Sequence, residues 1–332
     1  AIVYLGATAT DPPEFELYAS DWTAGVGWSA PAMVPTGVAN PHWAVALSDD
    51  GTTLAYSSYP FLGPSRLYVL TRTGGVWRAP VEVGDPILGG YHPSLSAGGQ
   101  QLVYVANRRL WFVERTPSGW TAPAALSPFA WLAQNLEVEN PQISADGHAV
   151  VFWVVELVPG SQPGEQIRAA QDLYIIRRLG TTWGEPERIT PESVLPSHPV
   201  DAVPALDRYA RRLVYSRPIT ESDPSSGEST VIGSQLMMTD LDDGAWTPPT
   251  PVKGAPPWGC YDRYGRLSAD GRHLVYDGCV DAAGLQVDGL YALTTATGPS
   301  PITVPPITGT IHPLSLTTFW APPVRYGFSP GV

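Results

Sequence analysis

"SADGHAVVFWV", residues 144–154, joins a four-residue turn signal to a run of apolar residues that reads as a buried strand. An Asp-Gly pair allows positive φ at little cost and connects neighbouring antiparallel strands. The same unit returns along the chain. "SDDG" stands at 48–51, "SAGG" at 96–99 and "SADG" again at 268–271, with a worn copy, "DRYA", at 207–210. The apolar stretches that follow are "TLAYSS", "QLVYVA", "AVVFWV", "RLVYSR" and "HLVYDG", and the N-terminal "AIVYLG" matches them. Two further patterns keep the same order. "ELYAS", "RLYVL", "RLWFV", "DLYII", "QLMMT" and "GLYAL" begin at Glu16, Arg66, Arg109, Asp172, Gln235 and Gly289. They are followed by Trp-x-x-Pro and an apolar residue in "WSAPAMV", "WRAPVEV", "WTAPAAL", "WGEPERI" and "WTPPTPV", with "GPSPITV" (298–304) as a copy lacking the Trp.

Six ordered copies of a four-strand unit predict an all-β, six-bladed β-propeller, each blade a small antiparallel sheet that buries its faces on its neighbours. The Trp of the outer strand is expected to pack between blades, and the proline beside it suits an edge that must not recruit another strand. The chain opens in the second strand of blade one, so an inner strand is missing there. "TIHPLSLTTFW" (310–320) resembles the inner-strand openings "YHPSLSAGG" and "ENPQISADG" and is expected to supply it. The whole chain then forms one domain, with blades at approximately 1–37 plus 310–318, 41–84, 91–127, 139–190, 201–253 and 261–305. Residues 321–332 receive no place.

The composition agrees. The 332 residues are 43% hydrophobic, enough for a large core, and 36 prolines with 33 glycines demand frequent turns. A net charge of −12 and a single lysine, Lys253, argue against nucleic acid and anionic membrane surfaces, which are bound through clustered Lys and Arg. No apolar run approaches the roughly 18 residues of a membrane-spanning helix. The first residues read as a strand, as expected of a chain whose leader has been removed, and a monomer is expected.

The repeat P-x-x-S-x-D-G, an apolar strand and then "LY" resembles the TolB-type propeller repeat, also found in the propeller domains of prolyl oligopeptidase relatives. The resemblance covers nearly all of residues 1–317 and implies a scaffold shared by periplasmic binding components, sensors and lyases, so it does not select a function. The chain has no G-x-S-x-G nucleophile elbow and no room for an α/β-hydrolase domain, so the peptidase branch is not supported. Sialidase boxes, phosphate-binding glycine loops and dinucleotide fingerprints are absent as well.

Two faces follow from the strand order. One carries the short S-x-D-G turns. The other carries the irregular segments 127–140, 155–171, 190–202 and 217–234, and recognition is expected there. Four of the six histidines, His42, His92, His198 and His312, fall at or just before inner strands of different blades. Together with Tyr91, Glu139, Asn140, Asp201, Asp262 and Arg263 they are expected around one channel mouth. Trp43, Trp131, Trp258 and Tyr261 either stack on a ligand there or cap the blades. His148 and His273 fall on the opposite face as surface residues.

Two functions remain open. The first is a binding or scaffold module for a peptide, protein or glycan. The second is a metal-dependent lyase or hydrolase whose divalent ion sits among the histidines, the only cofactor the sequence suggests. A sensor ectodomain of a larger chain is a third reading. Cys260 and Cys279 flank the turn of "SADGRHLVYDGC" symmetrically, so they are expected to face each other and form a disulfide, which points to a periplasmic or extracellular location.

Overall fold

A computed structural model describes residues 2–7, 15–23, 27–37, 41–58, 65–84, 89–126, 135–160, 162, 166–190, 204–222, 229–252, 261–268, 270–282, 285–294 and 312–313. The described residues form a β-propeller. Blade 2 runs inward to outward as Pro41–Leu47, Thr53–Ser58, Arg66–Thr73 and Val81–Val83. Blade 3 is Tyr91–Leu95, Gln101–Ala106, Arg109–Thr116 and a broken outer strand, Gly119–Trp120 then Ala124–Ala125. Blade 4 is Leu136–Ile143, Ala149–Pro159, Gln166–Leu179 and Thr182–Trp183 with Glu187–Arg188. Blade 5 is Ala205–Leu206, Arg212–Ser222, Ser229–Asp242 and Ala245–Trp246 with Thr250–Pro251. Before them lies a sheet of Ile2–Ala7, Phe15–Ser20 and Ala32–Met33, and after them one of Arg263–Leu267, His273–Ala282, Leu285–Thr294 and His312–Pro313.

The core is divided by interface. Five apolar clusters each join one sheet to the next, and Leu102, Val103, Tyr104 and Val105 of one strand serve two of them by alternation. The outer-strand tryptophans do pack between blades. Trp183 of blade 4 meets Phe112 of blade 3 edge-on at 5.4 Å, and Trp246 packs on the cluster shared by blades 4 and 5. The break in each outer strand follows from Trp-x-x-Pro, since proline donates nothing to the ladder.

The S-x-D-G turns are built from their own side chains. Ser48 Oγ donates to Asp50 Oδ1 at 2.6 Å, and that oxygen accepts the Thr52 N–H at 3.0 Å. Ser144 and Asp146 repeat the arrangement at 2.6 Å, with the His148 N–H at 3.0 Å. In the worn copy the Asp207 carboxylate takes over the serine's role, accepting the N–H groups of Arg211 and Arg212 at 2.7 and 3.1 Å. The closing glycines seat the turns on the preceding blade: a Cβ on Gly99 would overlap Thr53, and one on Gly147 would overlap Gln101. Backbone bonds from Ala97 N to Ala145 O (2.9 Å) and Asp146 N to Arg208 O (3.1 Å) tie successive turns together. Burial pushes the Asp49 carboxyl of blade 2 up, against the pull of Arg208 in the blade 5 turn.

Three expectations change. First, the strand proposed for 310–318 does not join Ile2–Ala7 where it is described. His312 pairs with Ala292 and Pro313 with Tyr291, at the outer edge of the last sheet, because any extended segment can complete a free ladder there. Second, the segments 155–171 and 217–234 are largely strand. Val155–Pro159 pairs with residues 166–171, and Pro218–Ser222 with 229–234, so the hairpins of blades 4 and 5 rise as arms above the blade tops. Blade 3, by contrast, turns at once through Asn107 and Arg108, both left-handed (φ 47° and 62°). Third, the turn before Cys279 is centred later than the symmetric reading supposes: Leu267 pairs with Leu274 and Arg263 with Asp277. Continued, that register sets Cys279 level with Tyr261. Cys260 lies outside the described residues.

Candidate functional site

Every inner strand with a described register at this point carries a bulge, between His42 and Val45, Tyr91 and Ser94, Glu139 and Gln142, and Arg263 and Arg266. A bulge inserts a residue, bends the strand and re-aims its side chains. In blades 3 and 4 the bulge holds a non-glycine residue in the left-handed region, His92 at φ 51° and Asn140 at φ 48°. Such strain costs energy and concentrates at functional positions. The two bulges are joined, since the Asn140 N–H donates to His92 Nδ1 at 3.4 Å. The imidazole is therefore neutral on that nitrogen. Burial, reinforced by the Arg168 guanidinium, pushes its pKa down to about 4.

Around this pair the sequence "LEVEN" alternates. Glu137 and Glu139 share one face of the strand, while Val138 on the other face is buried. Gln166 and Arg168 alternate likewise on the blade 4 arm. Arg108 Nε sits 2.9 Å from Glu137 Oε1, and Arg108 also donates to Gln166 Oε1 at 3.2 Å. Arg168 pairs closely with Glu139. Tyr91 lies among them, its ring edge-on to His92 at 5.0 Å. Burial first, then the charges of Glu137 and Glu139, push its hydroxyl up to about 12, against the pull of Arg108 and Arg168. It is a hydrogen-bond donor at any ordinary pH. The outcome is a notch where low blade 3 meets the raised arm of blade 4, lined by two Arg–Glu pairs, a neutral imidazole and a protonated phenol.

Of the residues expected from sequence, Tyr91, His92, Glu139 and Asn140 come together here. Arg108, Glu137, Gln166 and Arg168 were missed. The tight Asn107–Arg108 turn between "QLVYVA" and "RLWFV" was the available signal for Arg108, whereas Gln166 and Arg168 lay in a segment read as loop. Asp262 is elsewhere: it is fully buried, and its carbonyl accepts from Ser216 Oγ at 2.7 Å and Ser234 Oγ at 3.0 Å, fastening the last sheet to blade 5. Tyr261 bridges Ser234 in parallel, and Arg263 opens the next inner strand opposite Asp277. His42 and Trp43 lie in the inner strand of blade 2, where only the backbone is described. His148 is an exposed turn residue 3.7 Å from Asp146, as expected. Trp131, His198, Asp201 and Trp258 lie outside the described residues.

The metal reading gains nothing. His312 stands at an outer edge, apart from the inner strands, and His92 Nδ1 is engaged by Asn140. Among the described residues no group of three or more His, Cys, Asp or Glu side chains is arranged to hold a metal ion.

No family model matches the sequence, and no curated protein matches it. Solved propellers resemble the fold. TolB from Acinetobacter baumannii is 14% identical over 89% of this chain and 67% of its own, with a TM-score of 0.45. A prolyl endopeptidase is 15% identical, TM-score 0.49, over 89% of this chain, which spans only 39% of that enzyme. The β-propeller domain of the Trilobed protease from Pyrococcus furiosus, described as having an open velcro topology, is 12% identical over 87% of this chain and 90% of its own, with a TM-score of 0.42.

Proposed function

We propose that the chain is a six-bladed propeller acting outside the cytoplasm as a binding module, and that the notch between blades 3 and 4 is its recognition site. The observation that carries this reading is the hydrogen bond between two left-handed bulge residues, His92 and Asn140, inside a ring of charged partners. A scaffold needing only stability would place glycine at such positions. Strain held in adjacent blades and aimed at one surface fits a pre-organised ligand contact. The repeat count supports the six-bladed ring, and the two cysteines support an oxidising compartment.

The test is a selection. Displayed peptides and an arrayed glycan set are screened against the whole chain, and each hit is measured against Arg168→Ala and against Tyr209→Ala on the opposite face. Arg168→Ala should weaken hits by about tenfold or more, and Tyr209→Ala should leave them unchanged. Hits indifferent to Arg168 and to Tyr91→Ala would remove the notch as the recognition site.

A further inference from the structure

We infer that the notch between blades 3 and 4 recognises an uncharged saccharide, an inference that rests on the binding role proposed above. Three observations carry it.

The first is charge balance. The two guanidinium groups, Arg108 and Arg168, are each matched by a carboxylate, Glu137 and Glu139. His92 is neutral through most of the pH range because burial resists its protonation, and Tyr91 keeps its proton. Among the described residues the lining therefore carries no net charge. A phosphate, uronate or polybasic ligand would have to break an existing ion pair to find a partner, leaving a half-buried charge behind. On a chain of net charge −12, anions are further disfavoured.

The second is the geometry of the polar groups. Arg108 holds both Glu137 and Gln166, and Arg168 holds Glu139, so these polar groups position one another. Rows of paired donors and acceptors suit the neighbouring hydroxyls of a sugar, each of which both donates and accepts. Tyr91 adds an aromatic surface for the apolar face of a pyranose and a hydroxyl donor beside it.

The third weighs against the chief competitor at the inner edges. An extended peptide would bind here by adding a strand to an inner edge. The inner edges of blades 3 and 4 are bulged at this level, and each bulge contains a proline, Pro93 or Pro141, that has no N–H to offer. At those inner edges recognition therefore falls to side chains.

The experiment uses the full chain and defined probes: neutral tetrasaccharides of glucose, galactose, mannose and N-acetylglucosamine in α and β linkage, the corresponding uronate oligomers, and a mixed tetrapeptide series. Binding is followed by titration calorimetry. At least one neutral tetrasaccharide should bind with an affinity that changes less than about twofold between roughly 0.05 and 0.5 M salt, since no net charge is paired. Tyr91→Ala should weaken it by about tenfold, as should the charge-neutral double change Arg108→Gln with Glu137→Gln, and Tyr209→Ala should not. Circular dichroism and cooperative melting identify any variant that fails to fold, and the two independent variants guard against that loss. Binding of uronates or peptides, salt-dependent and lost in Tyr91→Ala, would overturn the saccharide assignment and keep the notch as a binding site. Binding of any probe that ignores both variants, or of none at all, would overturn the saccharide assignment. Persistence of notch-dependent hits in the displayed-library selection would then show that the binding reading survives without it.

Discussion

Replacing His92 by Asn should remove a defined piece of the acid sensitivity of this fold. His92 sits in the left-handed region at φ 51°, and blade 4 places Asn140 at the equivalent point at φ 48°, so Asn keeps the backbone conformation. What it removes is a titrating group. The His92 imidazole accepts the Asn140 N–H at 3.4 Å, meets Tyr91 edge-on at 5.0 Å and feels the Arg168 guanidinium, while Glu137, Glu139, Arg108 and Arg168 surround Tyr91. Burial and then Arg168 push its pKa from 6.5 to about 4. The folded state thus binds fewer protons than the unfolded chain as pH falls. The stability cost is absent above pH 6.5, grows as pH drops towards about 4, and is constant below it. At about 1.4 kcal/mol per unit the depression corresponds to roughly 3 kcal/mol, which the little solvent still reaching this largely buried ring reduces to about 2 kcal/mol. Urea denaturation at steps between about pH 7 and pH 4, with an unchanged m-value, gives the difference between wild type and His92→Asn. That difference should fall by about 2 kcal/mol across the window, and the His92 ring resonances should titrate near the lower limit. A flat difference, or a ring that titrates at its ordinary value, would refute the buried, bonded imidazole.

Further outcomes follow from the packing. Gly147→Ala forces an L-residue to φ 76° and drives its Cβ into Gln101, which also donates to Glu114 at 3.1 Å, so it should cost about 2–3 kcal/mol by chemical denaturation. Gly74→Ala, at φ 58° with open space around it, should cost only about 1 kcal/mol, and equal losses for the two would disprove the seating of turns on the preceding blade. Combining Gly147→Ala with Gln101→Ala should restore part of the loss as a coupling of about 1 kcal/mol in a double-mutant cycle. Alkylation of Cys260 and Cys279 before and after reduction should show both protected until reductant is added; labelling without reduction would remove the disulfide and its argument for an oxidising compartment.

The sequence made the blades legible because propeller packing is local. Each S-x-D-G turn, "LY" strand and Trp-x-x-Pro edge satisfies a requirement that the neighbouring blade repeats, so the pattern survives without any long-range information. The site was legible only where it shares that repeat. Tyr91, His92, Glu139 and Asn140 sit at fixed offsets from the turns and could be aligned by eye. Arg168 and Gln166 could not, because "VELVPGSQPGEQIRAAQ" looks like loop when its prolines and glycines are weighed. In the structure residues 155–159 pair with 166–171, with one bulge between them. The hairpin register before Cys279 was less legible: Leu267 already pairs with Leu274 next to the turn, so the turn itself is centred later than its sequence suggests, and the bulge between Arg263 and Arg266 then moves the pairing back by one residue. The C-terminal "TIHPLSL" matches an inner-strand opening as sequence, yet two of its residues complete an outer edge, because ladder pairing is indifferent to which edge supplies it.

The most direct test of the notch as the recognition site is hydrogen exchange of the whole chain with and without the tightest saccharide from the tetrasaccharide panel. Slowed exchange should be confined to amides of residues 91–92, 107–108, 137–140 and 166–168, with the turns at 48–51, 96–99 and 144–147 unchanged. Protection that falls on those turns, and leaves the notch as it was, would contradict it.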